Sequence, residues 1–220
     1  MLNIGYSRLG IGVYVAHTDI LRGLNKVFRR AGLDIEYTNG MSKHMDLRMS
    51  PPLPLGIETA EEWVAAKIDT NLSEPEIIDL FNKNAPEFLK AKYAIKTTKN
   101  PNVAGIVRAS KYVIHTNTDL IAYKDRIYAL KESCPIIVER NDIETTIDMK
   151  DRIYDIQIKD QDIYCILSFG NTNLRIDKFL EKINNILGMD LGIDSILRLE
   201  QYTEKDNKLI SIKEYLETYE

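Results

Sequence analysis

The sequence predicts an α+β chain of two tandem ferredoxin-like (split βαβ) units with antiparallel sheets. Three observations predict it. Short apolar runs alternate with period 2, amphipathic 3.6-period segments separate them, and the order strand, helix, two or more strands, helix, strand occurs twice. The expected units are residues 1–98 and 103–220, joined by a linker at Thr97–Pro101, whose TTKNP has turn formers and no apolar anchor.

Residues 2–8 read as a strand that enters a glycine-bearing turn at Gly10 and Gly12, followed by the apolar Val13, Tyr14 and Val15. A helix starts near Thr18 or Asp19. Its Ile20, Leu21, Leu24, Val27, Phe28 and Ala31 share one face, and Gly32 supplies a left-handed stop. Leu33, Ile35 and Tyr37 alternate with polar residues as a strand closed by Asn39-Gly40, and Leu47 and Met49 mark another that the prolines at 51, 52 and 54 end. Residues 63–68 form a strand, 74–82 a helix with Pro75 in its first turn, and 88–95 a strand.

In the second half, 103–115 is strand-like and 119–132 helix-like, and 136–138 is a short buried strand. Residues 143–147 and 153–158 suit a hairpin around Lys150-Asp151, and 163–169 is a strand. Asn173 caps a helix stopped by Gly188, 196–202 closes the sheet, and 210–219 is a short amphipathic terminal helix. Such sheets cover one face with helices, so a cleft between the units or the open face of the first is the expected working surface.

With 220 residues, 44% apolar and 28% charged, the composition is that of a soluble globular chain and excludes disorder or a collagen-like repeat. No apolar run approaches the roughly 18 residues of a membrane span. The N-terminus has neither the basic start nor the apolar core of a signal peptide, so no membrane contact and a cytoplasmic location are expected. Cys134 and Cys165 sit in apolar runs and read as buried free thiols. His17, His44 and His115 have no metal-ligand spacing, so neither a metal site nor a cofactor is expected in the chain.

The net charge is −4, yet residues 1–48 hold seven Lys or Arg against four acids, which suggests an anionic partner for that segment. Arg22, Lys26, Arg29 and Arg30 fall at i, i+4, i+7 and i+8, a stripe about 12 Å long opposite the apolar face. It suits phosphodiester contacts, although an amphipathic helix normally puts such charges outward as a solvated face. His17 and Asp19 bracket the helix start, where the dipole favours anions; Asp19 either caps the helix or orients a histidine for proton transfer. Candidate ligand-binding residues are Arg8, His17, Arg22, Lys26, Arg29, Arg30, Lys43, His44 and Arg48. His17 and Asp19 are the catalytic candidates. Tyr6 and Tyr14 are possible stacking partners for bases on an exposed sheet face.

Tyr6-Ser7-Arg8 with Gly10, Ala16-His17-Thr18-Asp19-Ile20-Leu21-Arg22, Phe28-Arg29-Arg30-Ala31-Gly32-Leu33, Tyr37-Thr38-Asn39-Gly40, His44 and Pro52-Leu53-Pro54-Leu55-Gly56-Ile57-Glu58 occur in this order. Through them the chain resembles the radical-SAM-linked proteins, a bacterial group of unknown function encoded beside or fused to a radical SAM protein with a cobalamin-binding-like domain. The similarity thins in the second half, at Tyr154-Asp155-Ile156, Leu174-Arg175-Ile176-Asp177 and Leu197-Arg198-Leu199-Glu200. Ile11 and Val13 replace basic residues common in that group, and Gln157-Ile158 follows Asp155-Ile156 where a DIRP-like signature is usual. Asp46 stands where a lysine is usual and Arg48 where a neutral residue is, moving the positive charge by one pleat.

No CxxxCxxC is present, so the chain cannot ligate a radical SAM cluster itself, and the resemblance implies a radical SAM protein as partner. The expected function is a non-catalytic accessory module that binds structured, tRNA-like RNA and presents it to that partner. The alternatives are an enzyme using His17 or Asp19 on a phosphorylated or nucleoside substrate, and a pure protein-interaction subunit.

Overall fold

A computed structural model describes residues 1–39, 41, 43–132, 135–140, 143–170 and 173–219. The fold is mixed α/β, mostly antiparallel, with five α-helices among the described residues. The chain divides into unit 1, residues 1–107 with 200–220, and unit 2, residues 108–199.

Unit 1 opens with β1 (Leu2–Arg8), α1 (His17–Arg30), β2 (Leu47–Met49), β3 (Glu58–Ala66), α2 (Glu74–Asn84) and β4 (Leu89–Lys96). β1 pairs antiparallel with β4 and with β3, and β2 pairs antiparallel with β3, giving the order β4-β1-β3-β2. Alternation sorts the side chains by face. Leu2, Ile4, Tyr6, Val64 and Ala66 form one core with Ile20, Leu24, Val27 and Phe28 of α1 and Ile77 and Phe81 of α2. The rings of Phe28 and Phe81 meet edge to face at 5.9 Å, so both helices lie on the same side of the sheet.

The opposite face carries Asn3, Gly5, Trp63 and Tyr93. The Trp63 and Tyr93 rings stack at 5.9 Å over Gly5, where a Cβ would come within 2.8 Å of Tyr93 and 2.9 Å of Trp63. Glycine is the residue that lets both rings approach the backbone.

Unit 2 contains β5 (Ala109–Thr116), α3 (Lys124–Tyr128), β6 (Pro135–Arg140), β7 (Ile143–Asp148), β8 (Ile153–Lys159), β9 (Asp162–Ser168), α4 (Ile176–Leu187) and the start of β10 (Ile193–Lys205). β9 is antiparallel to β5 on one side and β8 on the other, while β6 and β7 form a separate two-stranded ladder. Tyr112, Ile114, Ile156, Ile163, Cys165 and Leu167 on one face of the three-stranded ladder are buried, as are Phe179, Leu180, Ile183 and Leu187 of α4. Gly188 ends α4 at φ 70, the left-handed stop read from the sequence.

The chain then returns to unit 1. Residues Tyr202–Lys205 of β10 pair with β11 (Lys208–Ser211) around Asp206 and Asn207, both at positive φ, and α5 (Ile212–Glu217) follows. Ser211 caps α5 by accepting from the Glu214 N–H, Ile212 and Leu216 are buried, and the Lys213 ammonium lies 5.5 Å from the Tyr93 ring centre. The tail expected to belong to the second unit thus packs in the first.

Several expectations are corrected. Residues 33–38 are not a strand: only the bridges Ile35–Ile68 and Tyr37–Met45 form. The helix expected over 119–132 is three short pieces, 3-10 turns at 121–123 and 129–131 around α3; Asp119 accepts from the Ile121 N–H and holds the entry in a tight turn. β7 pairs with β6 rather than β8, because Met149 is buried and the 3-10 turn Lys150–Arg152 redirects the chain. Arg175, not Asn173, is the residue before α4. Thr97, expected in a loose linker, is buried: its hydroxyl accepts from Asn3 at 3.1 Å and its carbonyl accepts from the Met1 ammonium at 2.6 Å. Tyr6 is buried beneath the helices rather than exposed on an open face. Cys165 is buried and its thiol is pushed up by burial, whereas Cys134 lies outside the described residues.

Candidate functional site

α1 presents the basic stripe. Asp19 in its first turn and Arg29 and Arg30 in its last complement the helix dipole, and Gly32 at φ 67 turns the chain away. With Ile20, Leu24, Val27 and Phe28 buried, the opposite side shows Arg22, Lys26, Arg29 and Arg30, all exposed. Arg22 donates to Asp19 Oδ1 at 3.0 Å, with both side chains largely in solvent, a contact of little energetic weight that a phosphate can displace. Among the described residues Lys26, Arg29 and Arg30 have no carboxylate partner.

Past Gly32, Leu33 and Ile35 drop into the core, and Tyr37 bridges to Met45. The Thr38 N–H donates to the His44 carbonyl at 2.8 Å, and the His44 N–H donates to the Thr38 hydroxyl at 3.3 Å, closing a small hairpin. A groove of about 430 Å³ runs between this hairpin and the end of α1, lined among others by Arg29, Asp34, Tyr37 and Met45. Tyr37 is 45% exposed, and Lys43 and His44 are exposed on the same hairpin. A cation and an aromatic face therefore share one groove.

Other sequence candidates lie elsewhere. Arg8 is 2% exposed on the helix-covered face of β1; its Nη1 donates to the carbonyls of Gly12 and Val15 and its Nη2 lies 3.9 Å from Glu62 Oε1. Arg48 pairs in register with Ala65, which places it on the face opposite α1, and it donates to Asp46 at 3.1 Å. His17 begins α1, which rises roughly 21 Å to its other end, whereas His44 belongs to the hairpin of Tyr37 and Met45, which line the groove with Arg29 at that end. Asp19 accepts from Arg22, not from the His17 imidazole. Arg29 thus lines the groove with Tyr37, Lys26 and Arg30 share its helix face, and Arg8, His17 and Arg48 do not join them.

The motif turn has a structural role of its own. Residues 10–14 form a 3-10 turn; the Gly10 N–H donates to Glu58 Oε1 at 2.7 Å and the Gly56 N–H donates to the Val13 carbonyl at 3.0 Å, so PLPLGIE clamps this turn. Ile11, Tyr14 and Leu55 are 75%, 79% and 61% exposed there, an apolar patch.

In unit 2 the histidine held by a carboxylate is one the sequence reading did not single out. His115 Nδ1 and Asp162 Oδ1 are 3.0 Å apart across the β5–β9 ladder. The signal was the period-2 alternation at 111, 113, 115 and 162, 164, 166, which sends these residues to the face opposite the buried one. No cluster of three or more His, Cys, Asp or Glu side chains suited to a metal occurs among the described residues.

No curated protein matches the chain. A family model described as an uncharacterised protein conserved in bacteria, DUF2344, matches residues 2–180, which include α1, the hairpin, the PLPLG clamp and the three-stranded ladder of unit 2. The chain therefore belongs to the bacterial DUF2344 family.

Proposed function

We propose that this protein is an RNA-binding module that holds structured, tRNA-like RNA against α1 and presents it to a radical SAM partner. The observation that carries the reading is the set of uncompensated cations Lys26, Arg29 and Arg30 on the solvent side of one rigid helix, with the Tyr37 ring beside Arg29. Guanidinium forks match phosphate oxygens, and an aromatic face accepts an unpaired base. We read both units as ferredoxin-like: the β4-β1-β3-β2 order with helices on one face suits a split βαβ, and unit 2 repeats the element sequence with β6 and β7 inserted. The radical SAM partner rests on the motif resemblance, and its docking is assigned to Ile11, Tyr14 and Leu55.

The test is binding of a labelled RNA hairpin to the full chain over a salt series. Affinity should fall steeply with salt, and the Arg22→Ala, Arg29→Ala, Arg30→Ala triple variant should lose roughly 0.7–0.9 units of log–log slope per lost phosphate contact. Unchanged affinity in that variant sinks the reading. Ile11→Glu with Tyr14→Glu should abolish capture of a radical SAM protein while leaving RNA affinity intact.

A further inference from the structure

We propose that the half-buried face of the β5-β9-β8 ladder in unit 2 binds single-stranded RNA, with one unpaired base on the Tyr164 ring and the flanking phosphates on Lys111 and Lys159; the ligand class rests on the RNA reading above. The register builds this face. Ile166 lies between Lys111 and Asp155, Tyr164 between Val113 and Gln157, and Asp162 between His115 and Lys159. Tyr164 is therefore at the centre of the middle strand and half-buried, beside the buried Val113.

A cavity of about 120 Å³ opens on this face, lined among others by Lys111, Asp155, Gln157, Lys159, Tyr164 and Ile166. It is far below the roughly 300–1,000 Å³ that encloses a whole drug-sized ligand, and it suits one planar ring laid on an aromatic. The charges select the ligand. Asp155 is engaged by Lys131 at 3.7 Å and by the Gln157 amide at 2.9 Å, and Asp162 is engaged by His115.

Lys159 has no carboxylate partner among the described residues and holds its ammonium 5.1 Å from the centre of the Tyr164 ring; Lys111 has no ion pair there either. Two uncompensated ammonium groups around a half-buried aromatic ring describe a ligand that is both flat and anionic. Single-stranded nucleic acid has that chemistry, because every base offers a π-face and every linkage a negative charge. The Gln157 side-chain oxygen is left to accept a hydrogen bond from a base edge.

The test uses the full chain with a labelled eight-nucleotide single-stranded RNA and, separately, a fully paired RNA hairpin. Tyr164→Ala should weaken the single strand about ten-fold and Tyr164→Phe should preserve it, since stacking needs the ring and not the hydroxyl. Lys111→Ala with Lys159→Ala should reduce the salt slope for the single strand by about 1.4, from roughly 0.7 per contact. None of these variants should weaken the hairpin, which the α1 triple variant should. No binding of the single strand, unchanged affinity in Tyr164→Ala, an equal loss in Tyr164→Phe, or displacement by polyglutamate as readily as by RNA each overturns the inference. Hairpin affinity that survives the α1 variant while Tyr164→Ala cripples single-strand binding overturns the α1 reading and leaves this one standing.

Discussion

Arg8 and Glu62 face each other inside unit 1, guanidinium to carboxylate at 3.9 Å, with 3% and 6% of their side chains exposed. Two further donations from Arg8, to the carbonyls of Gly12 and Val15, tie β1 to the turn before α1. Arg8 is a brace for the helix that carries the basic stripe. Glu62→Ala leaves a buried cation short of its counter-charge and should cost about 3–5 kcal/mol in urea unfolding. The double change Arg8→Met with Glu62→Leu should cost less than either charged-residue deletion alone, and additive losses would contradict the pairing.

Arg8 also shows where sequence reading reaches its limit. A cation at the end of a strand looks the same in sequence whether it points to solvent or to a buried glutamate 54 positions on; only pairing register decides. α1, α2 and α4 are legible because apolar periodicity, Pro75 in the first turn of α2 and the glycines after α1 and α4 are local signals, whereas the caps expected at Asp19 and Asn173 are not formed: Ala16 and Arg175 stand at those positions. Residues 33–38 read as a strand because alternation over six residues does not reveal whether a neighbouring edge is there to pair with. The stripe itself was legible, being a property of one helix. The split of the nine basic and imidazole candidates between two sheet faces and two helix ends was not, since it depends on contacts between distant segments.

Gly5 sits beneath the Trp63–Tyr93 stack, where a Cβ would approach both rings within 3 Å. Gly5→Ala should therefore destabilise unit 1 by about 1–3 kcal/mol through overpacking. Near-ultraviolet circular dichroism and Trp63 fluorescence should change together with the unfolding midpoint. A variant as stable as the parent with unaltered spectra would mean that the rings do not rest on this glycine.

Ser73 and Glu76 form a capping box at the start of α2: the Ser73 N–H and hydroxyl both donate to Glu76 Oε2 at 2.7 Å. These two bonds hold the Glu76 carboxyl below its ordinary range. Because the folded value is depressed, the contribution is complete above the unfolded value, near 4.3, and is lost as pH falls through the folded one. Ser73→Ala should cost about 1 kcal/mol at neutral pH. Its deficit should shrink in acid, as thermal unfolding at successive pH values would show.

Tyr202 donates its phenolic hydrogen to Glu200 Oε2 at 2.5 Å. Burial, then the Glu200 bond, then the negative charges of Glu200 and Glu61 push this phenol well above the ordinary tyrosine value. A raised folded value means that the native state keeps a proton the unfolded chain releases near pH 10, so stability is complete below that pH and falls as pH rises beyond it. Burial raises Tyr112 as well, so part of the alkaline loss belongs to unit 2. Tyr202→Phe removes only the share of this phenol, since Tyr215 in the same unit is raised by burial too: the variant should be less stable than the parent at pH 8, and the gap should narrow steadily over the interval above about pH 10. Unfolding midpoints that run parallel across that interval would show that the phenol–carboxylate bond does not persist in solution.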